Sequence, residues 1–465
     1  MSYETAVARI YALGHELAHT PSQKFDLAHM RVLLAAMNHP ERRFPAVLIA
    51  GTNGKGSTAA TLASILRASG LRTGLYTSPH LVRINERIRI NDSEIGDNDF
   101  ALLHDLVDRT AERLVEDGEL PWHPSFFEML TAIAFEHFAQ NKVEIAVLEV
   151  GMGGRLDATN VVEPRVSVIT DISLDHQKFL GNTVTDIARE KVGIIRAGGV
   201  VVTLPQQPQA NDVIGNTILE LGARGVNAVP YVPPVSPASA QYFQSRAASG
   251  QKPLTAKDAK DAKKRCTVSR YPLEVMDQQI LVETPLVGRH QLRNVALAIA
   301  AAAELSKQGF PITPESIERG IRETRWPGRF QVMPAEGRAP EYVFDVAHNP
   351  AGAWALRSTL SACYEHRPLT FVFGAMRDKE IGEIAEILFP LAERVIATRA
   401  DNPRSATADE IRQAAERVSA DIEESADVAS ALERAQKLAG REGVIVVTGS
   451  IYVVGEAMRT LGVRV

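Results

Sequence analysis

Residues 46–57 read AVLIAGTNGKGS, from Ala46 to Ser57. Five apolar residues come first, a glycine-rich segment follows, and a helical pattern runs from Ser57 to Ser69. The order strand, glycine-rich turn, helix is typical of phosphate-binding loops in α/β proteins, where backbone N–H groups and the helix N-terminus face an anion. The segment therefore predicts a nucleotide-binding α/β domain.

The loop departs from the usual P-loop spacing. Gly56 stands between Lys55 and Ser57, and Ile49 occupies the position of the first glycine of the standard pattern. Gly51, Gly54 and Gly56 still allow the backbone to approach a phosphate closely. The alternative is an ordinary glycine turn in a doubly wound sheet, but a lysine and a serine in the expected region favour phosphate binding.

Composition describes an ordinary globular protein of 465 residues, long enough for two or three domains. A net charge of -5 gives no overall basic field, so we expect no nucleic-acid partner. The two cysteines, Cys266 and Cys363, suggest neither a disulfide framework nor a zinc site. Without a secretion signal at the start or an apolar run long enough to cross a bilayer, we expect a cytoplasmic protein that does not associate with a membrane.

Apolar runs alternate with amphipathic segments through the first 200 residues, which predicts an α/β fold with a mostly parallel sheet. The predicted strands are Val47–Ala50, Gly74–Thr77, Ile145–Val150, Val166–Thr170 and Val200–Thr203. The predicted helices are Ser57–Ser69, Asn98–Glu116, Phe126–Gln140 and Thr185–Ile195. We expect the alternation to break down after Pro205, in a solvated insertion over about 205–271 that includes the Ala/Lys/Asp near-repeat at 256–265.

The alternation restarts after residues 325–329, RWPGR, which read as a linker. Predicted strands at Tyr342–Asp345, Thr370–Phe373, Val395–Thr398 and Val444–Thr448 make a smaller Rossmann-like α/β domain at 330–465. Residues 1–324 then form the P-loop ATPase domain, and the whole chain is predicted to be α/β.

Two further strand ends carry candidate metal ligands. Glu149 ends an apolar run at the carboxyl edge of the sheet, where open α/β sheets bind ligands, and is followed by the glycine-rich Gly151-Met152-Gly153-Gly154. It is predicted to bind Mg²⁺, although a carboxylate there can also be solvated or cap a helix. His176 follows the next strand, but a lone histidine is more often structural than a magnesium ligand.

Together these motifs resemble the folylpolyglutamate synthase and dihydrofolate synthase family, within the superfamily of muramyl-peptide ligases. The matching segments occur in order along most of the chain: GTNGKGS at Gly51, TSPHL at Thr77, LEVGMGGRLDATN at Leu148, LDHQKFLGNT at Leu174, REKVGIIRAG at Arg189, GRHQLRN at Gly288, WPGRF at Trp326 and DVAHNP at Asp345. The family's own phosphate loop carries the extra glycine, so the resemblance accounts for the unusual spacing.

The resemblance implies an ATP-dependent ligase that joins L-glutamate to a folate, and to dihydropteroate as well, through an acyl phosphate. It implies that ATP is bound by the loop, by a later helix that begins at Asn294, by the linker and by the smaller domain. The residues are Gly51, Thr52, Asn53, Gly54, Lys55, Gly56, Ser57, Asn294, Arg329 and Asp345. Two Mg²⁺ ions are implied beside Ser57, Ser78, Glu149 and His176. Lys55, Lys191 and His348 take catalytic roles, and Lys191 matches a lysine that is often carbamylated.

The resemblance implies that the folate-type acid and L-glutamate are bound by Thr77, Ser78, Pro79, His80, Arg155 and Ser450. The segment Arg155-Leu156-Asp157-Ala158 resembles that of members with both activities. The resemblance further implies that ATP lies between the two domains, that closure of the domains assembles the site, and that the protein is a monomer. One departure stands out, because Val346 replaces the glycine that is common after the aspartate of the family motif.

Two alternatives remain at this stage. A muramyl-peptide ligase proper carries a UDP-binding domain before its ATP domain, for which residues 1–45 leave no room. A P-loop protein that acts as a nucleotide switch is the other, and the TSPHL segment, which resembles a pterin-binding loop, stands against it.

Overall fold

The computed structural model describes residues 1–14, 27–234, 267–337, 339–418 and 420–463. The chain divides into two compact units. The first comprises Met1–Val229 and Asn294–Thr324, and the second comprises Pro230–Arg293 and Arg325–Val465. The predicted near-repeat at 256–265 lies outside the described residues.

The first unit is built on an eight-stranded sheet. Its strands are β1 Ala46–Ala50, β2 Thr73–Tyr76, β3 Ile88–Ile90, β4 Ser93–Glu94, β5 Ile145–Glu149, β6 Pro164–Ile169, β7 Val200–Thr203 and β8 Arg224–Asn227. They lie in the order β4-β3-β2-β5-β1-β6-β7-β8, parallel except for the pairs β2–β3 and β3–β4. The predicted mostly parallel sheet is confirmed.

Strand β1 occupies the interior of this sheet because all five of its side chains are apolar and buried. It pairs in parallel with β5 on one side, with Ile49 opposite Glu149, and with β6 on the other. A strand that reads as a continuous apolar run suits a sheet covered on both faces. The loop that follows β1 therefore emerges between the ends of β5 and β6.

Ten helices are described that fall wholly or mainly in the first unit: α1 Tyr3–Ala12, α2 Leu27–Ala36, α3 Lys55–Ala68, α4 Asp97–Glu116, α5 Phe126–Gln140, α6 Gln177–Leu180, α7 Val184–Val192, α8 Pro208–Glu220, α9 Arg289–Ser306 and α10 Pro314–Arg322. The four predicted helices correspond to α3, α4, α5 and α7. The last ends three residues earlier than predicted, because Gly193 follows Val192 as its C-cap.

The α/β alternation continues beyond Pro205, so the prediction that it breaks down there is wrong for residues 208–227. Helix α8 and strand β8 extend the sheet, and Val201 of β7 pairs with Gly225 of β8. The prolines and polar residues of this segment concealed the pattern, since β8 is an edge strand with mostly exposed side chains.

The second unit contains a six-stranded sheet and a separate hairpin. The hairpin strands are β9 Ser269–Val275 and β10 Gln278–Thr284, joined by Met276 and Asp277, both with positive φ as in a tight hairpin turn. The sheet strands are β11 Gln331–Met333, β12 Glu341–Phe344, β13 Leu369–Phe373, β14 Arg394–Ala397, β15 Ile422–Glu424 and β16 Val444–Thr448. Their order is β11-β12-β16-β13-β14-β15, with β11 antiparallel.

The helices of this unit are α11 Pro350–Tyr364, α12 Ile381–Leu388, α13 Ala408–Ala414, α14 Val428–Ala439 and α15 Ile451–Thr460. Phe371, Phe373 and Phe389 form part of its core. The predicted second α/β sheet is confirmed, and its four predicted strands correspond to β12, β13, β14 and β16.

Helix α3 carries the phosphate loop and is buried on almost every side. Besides the sheet, α3 packs against α10. Gly320 of α10 lies so close to α3 that a Cβ on it would be 2.4 Å from Cα of Ile65. Ser64 also donates a hydrogen bond of 2.7 Å to the carbonyl of Gly320. The contact requires glycine, because the neighbouring atoms are backbone and cannot move aside.

We predict that Gly320→Ala destabilises the protein by about 1–3 kcal/mol through overpacking against α3. The matched control is Gly215→Ala, since Gly215 also lies inside a helix but has no atom within 4 Å of an added Cβ. That change should be neutral or stabilise by up to about 1 kcal/mol. Urea unfolding measures both, and equal midpoints for the two variants would contradict the packing argument.

Candidate active site

The candidate site of the first unit lies where four neighbouring strands end. β2, β5, β1 and β6 are adjacent in the sheet and parallel, so their carboxyl ends share one edge. The segments that follow them hold nearly all the first-unit residues predicted from the motifs: 77–80, 149–155, 51–57 and 170–176. Parallel topology thus brings together segments that are far apart in the sequence.

The glycine-rich turn after β1 is braced by the segment that follows β6. The N–H groups of Thr52 and Asn53 both donate to the carbonyl of Asp171, at 2.9 and 3.1 Å. The Thr52 hydroxyl donates to the Ser173 carbonyl at 2.9 Å and accepts from its N–H at 3.1 Å. The first half of the loop is therefore occupied by structural bonds, so only amides of the second half are available to a ligand.

The second half begins at Gly54, which has φ +87° and is the N-cap of α3. The first helical bond of α3 runs from the Thr58 N–H to the Gly54 carbonyl, 2.9 Å. The N–H groups of Lys55, Gly56 and Ser57 precede it and have no helical acceptor. These amides, with the positive end of a 14-residue helix behind them, are the groups of the loop whose geometry suits an anion.

Two side chains flank this helix end. The Lys55 ammonium donates to the Thr52 carbonyl at 3.3 Å, so it folds back over the turn. Asn294, on α9 and 3% exposed, lies on the other side: a Cβ on Gly54 would be 2.1 Å from its Oδ1. Thr58 also donates to the Asn294 carbonyl at 3.4 Å. The fold therefore places Asn294 against the loop.

Glu149 and Ser78 meet at the ends of β5 and β2. The Glu149 carboxylate is buried and accepts the Ser78 N–H at 3.1 Å through Oε2. The Ser78–Pro79 peptide bond is cis. His176 lies in the segment after β6, with a left-handed φ of 51° and its N–H bound to Asp175.

These residues can be tested against Mg²⁺ by donor chemistry. Across the described ranges, no group of three or more His, Cys, Asp or Glu side chains is arranged to hold a metal. The predicted set offers one carboxylate, two hydroxyls and one imidazole. Mg²⁺ usually takes one or two carboxylates and completes its shell with water and substrate phosphate, so the set suits a metal that arrives with a nucleotide.

His80, predicted to meet the substrate, is engaged on both ring nitrogens. Arg87 Nε donates to His80 Nδ1 at 2.8 Å, which leaves Nε2 to carry the hydrogen and face the Tyr11 hydroxyl at 3.2 Å. Arg87 is buried, and its carbonyl accepts a hydrogen bond from the Thr77 N–H at 3.0 Å. His80 therefore supports the loop from behind, whereas Pro79 is exposed.

Lys191 is buried at the end of α7, which excludes the alternative of a surface lysine. Its ammonium donates to the Gly51 carbonyl at 2.8 Å. Burial lowers the pKa of Lys191 to about 7, the nearby Lys55 ammonium acts in the same direction, and Asp175 and Asp157 oppose the shift. Lys191 therefore belongs to the same cluster as the phosphate loop, and its amine is partly neutral near pH 7.

Arg155 lies on the surface beside Lys191. Its guanidinium binds Glu190 at 2.9 Å, and its N–H donates to the Glu190 carbonyl at 2.8 Å. This arginine is placed at the rim of the strand ends, with its charge already paired.

In the second unit, the predicted residues gather at the ends of β12 and β16. Asp345 is buried and accepts the N–H groups of Phe330 and Ala347, each at 2.9 Å. Burial raises the pKa of Asp345 to about 6, against these bonds and the Arg329 charge. Ser450 caps α15 by accepting the Tyr452 N–H at 3.2 Å.

His348 follows Asp345 and has a defined tautomer. Its Nδ1 lies 2.9 Å from the Val346 carbonyl, which can only accept, so Nδ1 carries the hydrogen and Nε2 is the basic nitrogen of the neutral ring. Val346 itself has a negative φ, and its N–H donates to the Gly328 carbonyl at 3.0 Å. The departure from glycine is thus accommodated without a left-handed backbone at this position.

Sequence reasoning missed the residues that hold the phosphate loop in place. Asp171 and Ser173 act mainly through their backbone, which no side-chain pattern reveals. Gln206, beyond β7, accepts the Ile172 N–H at 3.0 Å and donates to the Thr170 carbonyl at 3.1 Å. A glutamine after a strand end could have been considered, but it lay in the segment assigned to an insertion.

Comparison with known proteins supports both units. The Mur ligase middle domain model matches residues 127–225, and the model of the Mur ligase glutamate ligase domain matches residues 328–451. A dihydrofolate synthase/folylpolyglutamate synthase of Bacillus subtilis is 32% identical over 442 residues, which cover 94% of this chain and 95% of the relative.

Solved structures show the same architecture. The folylpolyglutamate synthase of Mycobacterium tuberculosis, complexed with ADP and AMPPCP, matches with a TM-score of 0.80 at 29% identity, covering 100% of this chain and 99% of that one. An FPGS–AMPPCP–folate complex matches with a TM-score of 0.76 at 30% identity, covering 99% and 100%. No helix in the described ranges is both long and apolar enough to span a bilayer.

We predict that Gly54→Ala weakens binding of an ATP analogue by about tenfold or more, because the added methyl displaces Asn294 and distorts the helix end that faces the phosphates. Gly70→Ala is the matched control, since Gly70 has nearly the same φ of +86° but open space around it. Both variants carry the same backbone strain, and only the first should lose affinity by calorimetry. Equal affinities of the two variants for the ATP analogue would contradict the proposed displacement of Asn294.

Proposed function

The chain belongs to the folylpolyglutamate synthase/dihydrofolate synthase family, and we propose that the strand ends of its first unit bind ATP and the acid that is joined to glutamate. The enzyme is an ATP-dependent ligase that joins L-glutamate to a folate. We further infer that it accepts dihydropteroate, since the Bacillus subtilis relative is named for both activities. The observation that carries the proposal is the convergence of the α3 N-terminus, Lys55, Lys191 and the Glu149–Ser78 pair at one sheet edge.

A carboxylate resists attack by an amine, so it must first be activated. The acid oxygen attacks the γ-phosphorus of ATP, ADP leaves, and an acyl phosphate forms. Lys55 and the amides of residues 55–57 offset the charge that develops on the phosphoryl oxygens. The amine of glutamate then attacks the acyl carbon, phosphate leaves, and a proton is released as the amide forms.

Magnesium is proposed beside Ser57, Ser78, Glu149 and His176. When bound with the nucleotide, it would neutralise phosphate charge and hold the γ-phosphoryl group in line with the acid. The Ser78 N–H on Oε2 fixes the Glu149 carboxylate in orientation. Glu149 is the one carboxylate of the proposed set, so hydroxyl groups, His176, phosphate oxygens and water would complete the coordination shell.

Lys191 is proposed to carry a carbamate. The neutral amine adds to CO₂ and releases a proton, so that the ammonium now bound to the Gly51 carbonyl is replaced by an anion. A lysine that is buried and close to a second cation is suited to this reaction, because both features favour the neutral amine. The anionic product would sit among Lys55 and the proposed metal sites.

Thr77, Pro79, His80 and Arg155 are proposed to shape the acid pocket. For His80 this role is indirect, since both ring nitrogens are engaged within the loop. In the second unit, Arg329, Asp345, His348 and Ser450 remain predictions for nucleotide and glutamate, with His348 presenting a basic Nε2.

The experiment that tests the function measures phosphate release from Mg-ATP and L-glutamate with dihydropteroate, with tetrahydrofolate, or with no acid. We expect release only when an acid is present, and mass spectrometry should show the acid product heavier by one glutamyl residue. Phosphate release in the tetrahydrofolate reaction but not in the dihydropteroate reaction would refute the dihydropteroate activity. Release without any acid would refute the proposed coupling.

A pair of buried glutamates provides the control for this assay. Glu149→Gln should abolish turnover and keep the fold. Glu341→Gln alters a carboxylate of the same 4% exposure at the amino end of β12, the end opposite to Asp345, and should keep turnover. Equal activity of the two variants would remove Glu149 from the site.

We predict that Lys191→Ala lowers kcat by about 100-fold or more and that Lys191→Glu restores part of it, because the glutamate supplies an anion. In CO₂-depleted buffer the wild-type enzyme should lose activity and regain it on addition of bicarbonate. At equal dissolved CO₂, reactivation should be about tenfold faster at pH 8 than at pH 6, because a pKa near 7 leaves the amine mostly neutral only at the higher pH.

Lys437→Ala is the control for the substitution, since Lys437 also lies in the last turn of a helix but is exposed. Its activity should match that of the wild-type enzyme. Full activity of Lys191→Ala, or wild-type activity that ignores bicarbonate, would contradict the carbamate.

A further inference from the structure

Two motifs of the first unit are joined to each other by backbone contacts and hydrogen bonds. They are the loop 151–160, which follows β5, and the turn 190–196, which ends α7. The backbones approach closely at two glycines: a Cβ on Gly154 would be 2.8 Å from the Glu190 carbonyl, and one on Gly193 would be 2.4 Å from Cβ of Arg155. This contact fixes which residues of the two segments face each other.

Asn160 closes the contact from the side of the loop. Its side chain is 5% exposed, and its Nδ2 donates to two carbonyls, those of Arg155 at 3.1 Å and Gly193 at 3.0 Å. One amide group therefore joins a residue of its own loop to the residue two places after Lys191.

Arg196 closes the contact from the side of the turn. Its guanidinium donates to the Asn160 Oδ1 at 2.8 Å, to the Asn160 carbonyl at 3.0 Å and to the Val162 carbonyl at 2.8 Å. The exposed Glu163 carboxylate lies 3.3 Å from its Nε. Since Arg196 binds the oxygen of the same amide whose nitrogen binds Gly193, it also fixes the orientation of Asn160.

The contact matters because each segment carries a buried charge. Lys191 is on one side, and Asp157 is on the other, held by the N–H groups of Met152 and Thr159 at 3.0 Å each. Asp157 is close enough for its charge to act on Lys191. The bonds of Asn160 and Arg196 therefore set the distance between these two groups and hold the Lys191 side chain toward Gly51.

We propose that Asn160 and Arg196 are positioning residues that clamp the end of α7 onto the loop 151–160 and so place Lys191 for the ligation. The inference rests on the proposed role of Lys191 at the phosphate loop. Neither residue is among those predicted to touch nucleotide, metal or substrate. Their effect on the reaction is exerted through Lys191.

The test compares Arg196→Gln and Asn160→Asp with the wild-type full chain. Asn160→Asp keeps the acceptor for Arg196 and loses the two bonds to carbonyls, so both variants break the same clamp from opposite sides. We expect kcat for tetrahydrofolate ligation to fall by about 10- to 100-fold in each, as misplacement of a catalytic group does, with KM for ATP changed by less than about threefold. Arg196→Lys should recover part of the loss.

Arg367→Gln is the matched control, because Arg367 also donates to two backbone carbonyls, those of Glu442 and Gly443, at 3.1 Å each. It should lose thermal stability to a similar degree and keep kcat. Wild-type kcat in both clamp variants would overturn the inference, as would an equal loss of kcat in Arg367→Gln at an equal loss of melting temperature.

A second readout separates this inference from the proposed function. After incubation with ¹³C-bicarbonate, the wild-type protein should show a lysine carbamate signal that Arg196→Gln reduces. A full signal together with full kcat in Arg196→Gln would overturn the clamp. Absence of the signal in the wild-type protein would refute carbamylation, and the kcat comparison with Arg367→Gln would then decide the clamp by itself.

Discussion

The hydrogen bonds from the amides of Thr52 and Asn53 to the carbonyl of Asp171 are the constraint on which the first unit's site depends. They tie the turn after β1 to the segment after β6, so that the chain can enter α3 only with Gly54 in a left-handed conformation. The amides of residues 55–57 then face outward from a helix end that is buried on its other sides. A protein without this brace would still have the sheet, but its anion site would lose its fixed direction.

Much of this arrangement could be predicted from the sequence. The apolar run of β1, the glycines after it and the carboxylate at the end of β5 carry local signals, and parallel topology brings strand ends together once the alternation is recognised. The loop spacing and the roles of Asn294 and Lys191 came from resemblance to a family and not from periodicity. Lys191 in particular has no local signal that separates it from a surface lysine, because its burial depends on contacts with residues 140 positions away.

What could not be predicted shares a physical cause. Asp171 and Ser173 act on the loop mainly through backbone groups, and Arg196 binds backbone carbonyls of a distant loop. Interactions with the backbone leave no pattern of composition or spacing in the sequence. Helix α8 and strand β8 were missed for another reason. Strand β8 has little hydrophobic periodicity, because residues on both of its faces, such as Arg224 and Asn227, are exposed.

The pairing of Ser64 with Gly320 has a consequence for the order in which the molecule can form. The two residues are 256 positions apart in the chain, and residues 230–293, which lie between them, belong to the other unit. Helix α3 leaves the ribosome long before α10, so its second packing surface must wait for most of the chain to be synthesised. Contacts of such large sequence separation slow folding, and the interval leaves only half-covered a helix that is almost wholly buried in the native fold. The nascent chain should therefore depend on chaperones more than the size of either unit would suggest.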